Sequence, residues 1–97
     1  MPTYERSNRF DRDYRALTSA QREQFRTAVR KFVHDLDRGG TFRSGLRVKG
    51  VKGSPGVFEM TWADDGRATF SYGESHRPGE PHIQWRRIGT HDVLGSA

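Results

Sequence analysis

Val57-Phe58-Glu59-Met60-Thr61-Trp62-Ala63-Asp64-Asp65-Gly66-Arg67-Ala68-Thr69-Phe70-Ser71-Tyr72 is the stretch that decides how this chain folds. Apolar and polar residues alternate on both sides of Ala63-Asp64-Asp65-Gly66, whose Asp-Gly step is a hairpin-turn signal. The reading is two antiparallel strands, 57–62 and 67–72. Residues two apart in a strand point to the same face, so Phe58, Met60 and Trp62 fall together with Ala68, Phe70 and Tyr72 on a buried face. Glu59, Thr61, Arg67, Thr69 and Ser71 fall on the other.

Working outward, Leu46-Arg47-Val48-Lys49 alternates in the same way and predicts a strand over 46–49, separated from the hairpin by the Gly- and Pro-rich turn GVKGSPG. On the far side the polar loop GESHRPGEP leads to a fourth strand over 82–88, where Ile83 and Trp85 face the core and His82, Gln84 and Arg86 face outward. Before Gly39-Gly40 the period is helical. Phe10, Tyr14 and Leu17 mark a helix over 8–17. Phe25, Val29, Phe32, Val33 and Leu36 mark one apolar stripe of a second helix over 19–38. Ser19 and Thr18 stand four and five residues before Glu23, not the three of a capping box, although either hydroxyl can cap the helix alone. Arg22, Glu23, Arg26, Arg30 and Lys31 lie on its wet side. Thr3 to Arg6 forms a short edge strand, or the sheet is smaller.

The expectation is one α+β domain over residues 1–97: a helical hairpin packed on one face of a small, mainly antiparallel four-stranded sheet. Its 97 residues suffice for a single core. Hydrophobic residues are 32% against 30% charged, so that core must be thin and built on the six Phe, three Tyr and two Trp. No apolar run is long enough to cross a bilayer and the first residues, MPTYERSNRF, carry no apolar signal, so the reading is a cytoplasmic protein with no membrane partner. With no cysteine, disulfides, thiolate chemistry and cysteine-zinc sites are excluded. His82 and His91 lie nine apart with no His-x-x-x-His pair, and no glycine-rich phosphate loop precedes a lysine and helix, so neither a metal nor another cofactor is expected.

A net charge of +5 favours a polyanionic partner. The excess is spread along the chain, with nine basic and six acidic residues up to Gly40 and eight and six after it. Within 43–59, however, Arg43, Arg47, Lys49 and Lys52 face only Glu59. The outward sheet face thus gathers cations around one carboxylate, with histidine nearby. That set suits metal-independent cleavage of an RNA phosphodiester, in which the 2′-hydroxyl loses a proton, the phosphorane charge is held and the 5′-oxygen gains a proton. Glu59 can act as base, Arg67 as phosphate clamp and His91, in Gly89-Thr90-His91-Asp92, as acid. The plain alternative is that Glu59 merely pairs with Lys49 or Arg67 across the sheet. His34 and His76 are assigned no chemistry.

The element order and the segments FDRDYRAL (10–17), LRVKGVKGSPGVFEMTWADDGRATFSYG (46–73) and HIQWRRIGTHDVL (82–94) resemble the RelE/ParE toxin superfamily, and within it the RelE-like messenger-RNA interferases of type II toxin–antitoxin modules. The resemblance spans about residues 8–95. It rests on a basic first strand, a Gly-Arg step opening the strand after the hairpin, and a charged position just after the last strand. It implies a RelE-like fold and a ribosome-dependent endoribonuclease. The implied partners are messenger RNA, the ribosome with its 16S rRNA, and a cognate antitoxin in a hetero-oligomer. By position, Arg67 resembles the phosphate-holding arginine of the central strand, His91 the C-terminal acid or phosphate contact, and Glu59 the general base of members that use glutamate. Arg47, Lys49 and Lys52 resemble the basic residues of the first strands, and His82, Arg86 and Arg87 join them as candidate phosphate contacts. Several members carry a C-terminal tyrosine that has no counterpart here, which leaves the general acid open. The superfamily also contains gyrase poisons that use the fold without this chemistry, and a catalytically inactive RNA-binding module is a third reading.

Overall fold

A computed structural model describes residues 2–97. The elements run β1 (Thr3–Arg6), α1 (Asn8–Arg15), α2 (Ser19–Asp37), a 3-10 turn (Ser44–Leu46), β2 (Lys49–Gly50), β3 (Val57–Thr61), β4 (Gly66–Arg77), β5 (Glu80–Thr90) and a closing 3-10 segment (His91–Ser96). The sheet has five strands, ordered β1-β5-β4-β3-β2. β1 runs parallel to β5, with Thr3 opposite His82 and Arg6 opposite Trp85; the other pairings are antiparallel. The α+β reading with a helical hairpin over one sheet face holds, and the edge strand brings the count from four to five.

Local signals explain the helices. Ser7 caps α1 by accepting from the Phe10 amide, and its own hydroxyl donates to the Arg86 carbonyl, which ties the helix start to β5. α2 opens with a true capping box: Thr18 Oγ1 accepts from the Gln21 amide and Gln21 Oε1 accepts from the Thr18 amide. Gln21, not Glu23, stands at the required third position. Arg22, expected only to be wet, donates to the carbonyls of Tyr14 and Arg15 and so closes the C-terminus of α1.

The core is an aromatic stack between α2 and the sheet. Phe32 meets Phe70 edge-on and Phe25 meets Trp85 and Trp62 edge-on, with Phe10 tilted against Phe25 and Trp85. Such offset geometries add to the area these rings bury. Met60, Ala68, Phe70, Ile83 and Trp85 fill the inner face as their alternation requires.

Four expectations need correction. The strand over 46–49 is not formed: Leu46 is buried from a 3-10 turn, Arg47 has left-handed backbone (φ 47°), and only Lys49–Gly50 pairs with β3. The polar loop 73–81 is mostly strand, because Pro78 and Gly79 (φ 77°) make a two-residue turn that lets β4 and β5 extend to Arg77 and Glu80. Tyr72 is not core; it is 46% exposed at the end of the inner face that the helices do not cover. The alternation of β5 is broken by a bulge opposite Thr69/Phe70, where Phe70 pairs with Trp85 but Thr69 pairs with Arg87. Arg86 is the extra residue, and the phase flips so that Ile88 enters the core.

Candidate active site

The register of β3 and β4 sets Glu59 opposite Thr69 and Thr61 opposite Arg67, so the four side chains share one patch of the outer sheet face. β2 adds Lys49 opposite Glu59. This face is less open than its polar sequence implies. Val57 is buried beside Glu59, and the closing 3-10 segment lies across β4 and β5. Val93 sits on Gly89, where an added Cβ would stand 2.9 Å from Val93 Cγ1. Gly89 is the register partner of Arg67. Glu59 is buried (6% exposed) and Thr69 fully so.

Arg67 is held by the turn it opens. Its Nη1 donates to the carbonyls of Gly66 (2.9 Å), Asp64 (3.2 Å) and Ala63 (3.3 Å). Its Nε stands 4.0 Å from Glu59 Oε1, a charge contact too long for a hydrogen bond. Among the described residues the Nε–Nη2 edge has no hydrogen-bond acceptor, and Glu59 accepts no hydrogen bond. The hydroxyls of Thr61 and Thr69 are buried without a hydrogen-bond partner among the described residues. Buried polar atoms are usually paired, so this patch holds an anchored guanidinium, a carboxylate and two hydroxyls with unused hydrogen-bonding capacity. Gly66 shapes the turn that presents Arg67: an added Cβ would come within 2.6 Å of the Trp62 ring.

The other candidates divide. His91 is exposed and begins the closing segment, two residues past Gly89, so it stands at the same end of the sheet as Arg67. Lys49 and Lys52 are exposed near Glu59's strand, and Arg47 is exposed after the 3-10 turn. Arg87 is occupied: its Nε and Nη2 bond Asp13 (2.9 and 3.1 Å) and its Nη1 bonds Ser96. Asp13 also accepts from the Ile88 amide, and although burial pushes its carboxyl up, Arg87 and that amide outweigh it and hold it below the usual range. Arg86 Nε donates to the Ala97 carbonyl. His82 is buried (2% exposed), with Thr3 Oγ1 2.7 Å from Nδ1 and Glu5 Oε1 2.8 Å from Nε2, and His76 stacked over its ring. It locks β1 to β5 and does not stand on open surface.

Sequence reasoning missed Asp13, which joins α1 to β5, and the two unpartnered threonines. Asp13 had a readable signal, a carboxylate in the last turn of a helix whose dipole disfavours it there. Among the described residues no group of three or more His, Cys, Asp or Glu is placed to hold a metal ion. No helix among them is long and apolar enough to cross a membrane.

No family model and no curated relative matches the sequence. Solved structures do match. A chain of the E. coli DinJ-YafQ toxin-antitoxin complex superposes with a TM-score of 0.68 at 15% identity, over 96% of each chain. The YoeB/ParE toxin from Agrobacterium tumefaciens gives 0.67 at 15% identity, over 92% of this chain and 98% of that one. A chain of the RelB-RelE antitoxin-toxin complex from Methanococcus jannaschii gives 0.63 at 11%, over 94% of each. The chain has the RelE-like fold, matched along nearly its whole length.

Proposed function

We propose that this chain is the toxin of a type II toxin–antitoxin module: a cytoplasmic endoribonuclease that cuts messenger RNA on the ribosome and is neutralised by a cognate antitoxin. The observation that carries the reading is the Arg67 guanidinium, fixed through Nη1 to three turn carbonyls, with an Nε–Nη2 edge that has no hydrogen-bond acceptor among the described residues and stands 4.0 Å from Glu59. A guanidinium anchored in this way can receive a phosphate bidentately without reorganising. Fold likeness alone would not decide function; the similar chains from complexes described as toxin–antitoxin support the antitoxin partner.

In the proposed step Glu59 takes the proton of the 2′-hydroxyl, the 2′-oxygen bonds to phosphorus, and the bond from phosphorus to the 5′-oxygen breaks. Arg67 holds the added negative charge of the phosphorane. His91, in its protonated form, gives its proton to the departing 5′-oxygen. Lys49, Lys52 and Arg47 steer and hold the flanking phosphates, and the +5 charge of the chain makes that binding sensitive to salt.

Primer extension on a defined messenger, with and without translating ribosomes, tests this. New 5′ ends at in-frame positions are expected with ribosomes, lost about 10²-fold or more in Arg67→Ala, by the scale of other lost transition-state donors, and reduced comparably in His91→Ala. Growth arrest without any cut, unchanged by alanine at Glu59, Arg67 and His91, would reject the nuclease in favour of a target such as gyrase.

A further inference from the structure

Three buried side-chain polar atoms have no hydrogen-bond partner among the described residues: the hydroxyls of Thr61 and Thr69 and the indole N–H of Trp62. Trp62 packs in the inner core. The two hydroxyls lie on the outer sheet face, Thr61 opposite Arg67 and Thr69 opposite Glu59. Thr69 is wholly buried, so its hydroxyl forgoes water as well as a protein partner. An unpaired buried hydroxyl destabilises a fold. Valine has the same branched shape without the polar atom and suits a strand equally well. The packing of β4 therefore gives no reason for a threonine at 69.

Its neighbour across the sheet does. Residues directly opposite on one face carry Cβ atoms about 5 Å apart, which brings the Thr69 hydroxyl within a side-chain rotation of the Glu59 carboxylate. That carboxylate is buried and accepts no hydrogen bond among the described residues. The cations around it, Lys49 opposite on β2 and Arg67 with its Nε at 4.0 Å, can only donate, so they serve the charged form alone. A general base is charged before proton transfer and neutral after it. A hydroxyl donates to the first form and accepts from the second. Such hydrogen bonds are often open in a free protein and close in the complex. We infer that Thr69 is a positioning residue for the general base: it holds the Glu59 carboxylate toward the 2′-hydroxyl and, once the proton has passed from the 2′-oxygen to Glu59, accepts the hydrogen bond of the new carboxylic acid. Thr69 itself forms no covalent bond and loses no proton. The inference rests on the nuclease reading and adds to it the group that steadies the base in both of its states.

The test compares Thr69→Val with Thr69→Ser in the full chain. In denaturant unfolding Thr69→Val should be at least as stable as the parent, since it removes an unpaired buried group and keeps the shape. Messenger cleavage is then followed in a single turnover on ribosomes over a range of protein concentrations. Thr69→Val should lower the maximal rate about tenfold, the scale of one lost hydrogen bond to a charged group, and leave the half-saturating concentration in place. Thr69→Ser should cut at close to the parent rate. Added to Glu59→Gln, Thr69→Val should slow cleavage no further, because it acts through the carboxylate. A stable Thr69→Val that cuts at the parent rate, an equal loss in Thr69→Ser, or an undiminished further loss on top of Glu59→Gln would overturn the assignment while the nuclease stands. A Thr69→Val less stable than the parent would make the hydroxyl a structural partner and overturn it as well. If the parent chain cuts no messenger with or without ribosomes, the nuclease reading itself fails and the role of Thr69 falls with it.

Discussion

Removing Arg67 should have two separable consequences, one on stability and one on chemistry. At 4.0 Å and an effective dielectric of 20, the attraction between its guanidinium and Glu59 is ~4 kcal/mol before desolvation. Both side chains are mostly buried, 13% and 8% exposed, so solvent screens the pair little. Arg67→Ala leaves a buried carboxylate with no cation and strips three turn carbonyls of their donor; a loss of about 3 kcal/mol is expected, the low end for breaking a buried pair. Glu59→Gln should cost only about 1 kcal/mol, because the turn carbonyls still satisfy Arg67. The double variant should be no less stable than Arg67→Ala, giving a coupling of at least about 1 kcal/mol in denaturant unfolding. Both single variants should lose messenger cleavage at a temperature where each is folded. A coupling below about 0.5 kcal/mol would mean that the two groups do not interact, and full cleavage by folded Arg67→Ala would remove the clamp from the mechanism.

Three further outcomes follow from the packing. Gly66→Ala should destabilise by about 1–3 kcal/mol, because its Cβ would enter the Trp62 ring at 2.6 Å, and tryptophan fluorescence should report the displaced indole. Thr18→Ala removes the capping box of α2 and should cost about 1 kcal/mol in thermal or denaturant unfolding. Asp35 is held far below the ordinary carboxylate range by the Arg43 side chain and then by its amide, so its contribution is present above pH ~4 and is lost as pH falls through the depressed folded value. Circular dichroism on acidification should show that loss, and Asp35→Asn should flatten the acid limb.

The hairpin and the two helices were legible because each is specified locally. Alternation around Asp65-Gly66 and a stripe from Phe25 to Leu36 need no knowledge of distant partners. What escaped depends on neighbours. Residues 3–6 have no alternating apolar pattern, and β1 exists because β5 offers a free edge, while Thr3 and Glu5 find His82 across 79 and 77 residues of sequence. Arg47 sits in an apolar–basic run that reads as strand, yet burying Leu46 from a 3-10 turn takes precedence there. The Glu59–Arg67 pairing was readable from strand register. The burial of that patch was not, because part of its cover is the closing segment folding back over β4 and β5.

The bulge in β5 links these observations. Strict alternation from Trp85 would have turned Ile88 outward, opposite its polar neighbours, and Gly89 inward. The spacing Trp85-Arg86-Arg87-Ile88, two large apolar residues three apart, was the available sign that the strand gains a residue there. Once the phase flips, Ile88 completes the core against Ala68, and a glycine, with no side chain, comes to lie opposite Arg67 on the outer face. Only that absence of a side chain lets Val93 settle onto the sheet at Gly89. Val93 in turn lays the closing segment beside Arg67 and brings His91 to the end of the sheet where the guanidinium is anchored. The same extra residue frees Arg87 to reach Asp13 and Ser96, which ties α1 and the closing segment to β5. A single inserted position therefore sets the inner packing and the outer site together, and Gly89→Ala should disturb the site while leaving the inner aromatic stack intact.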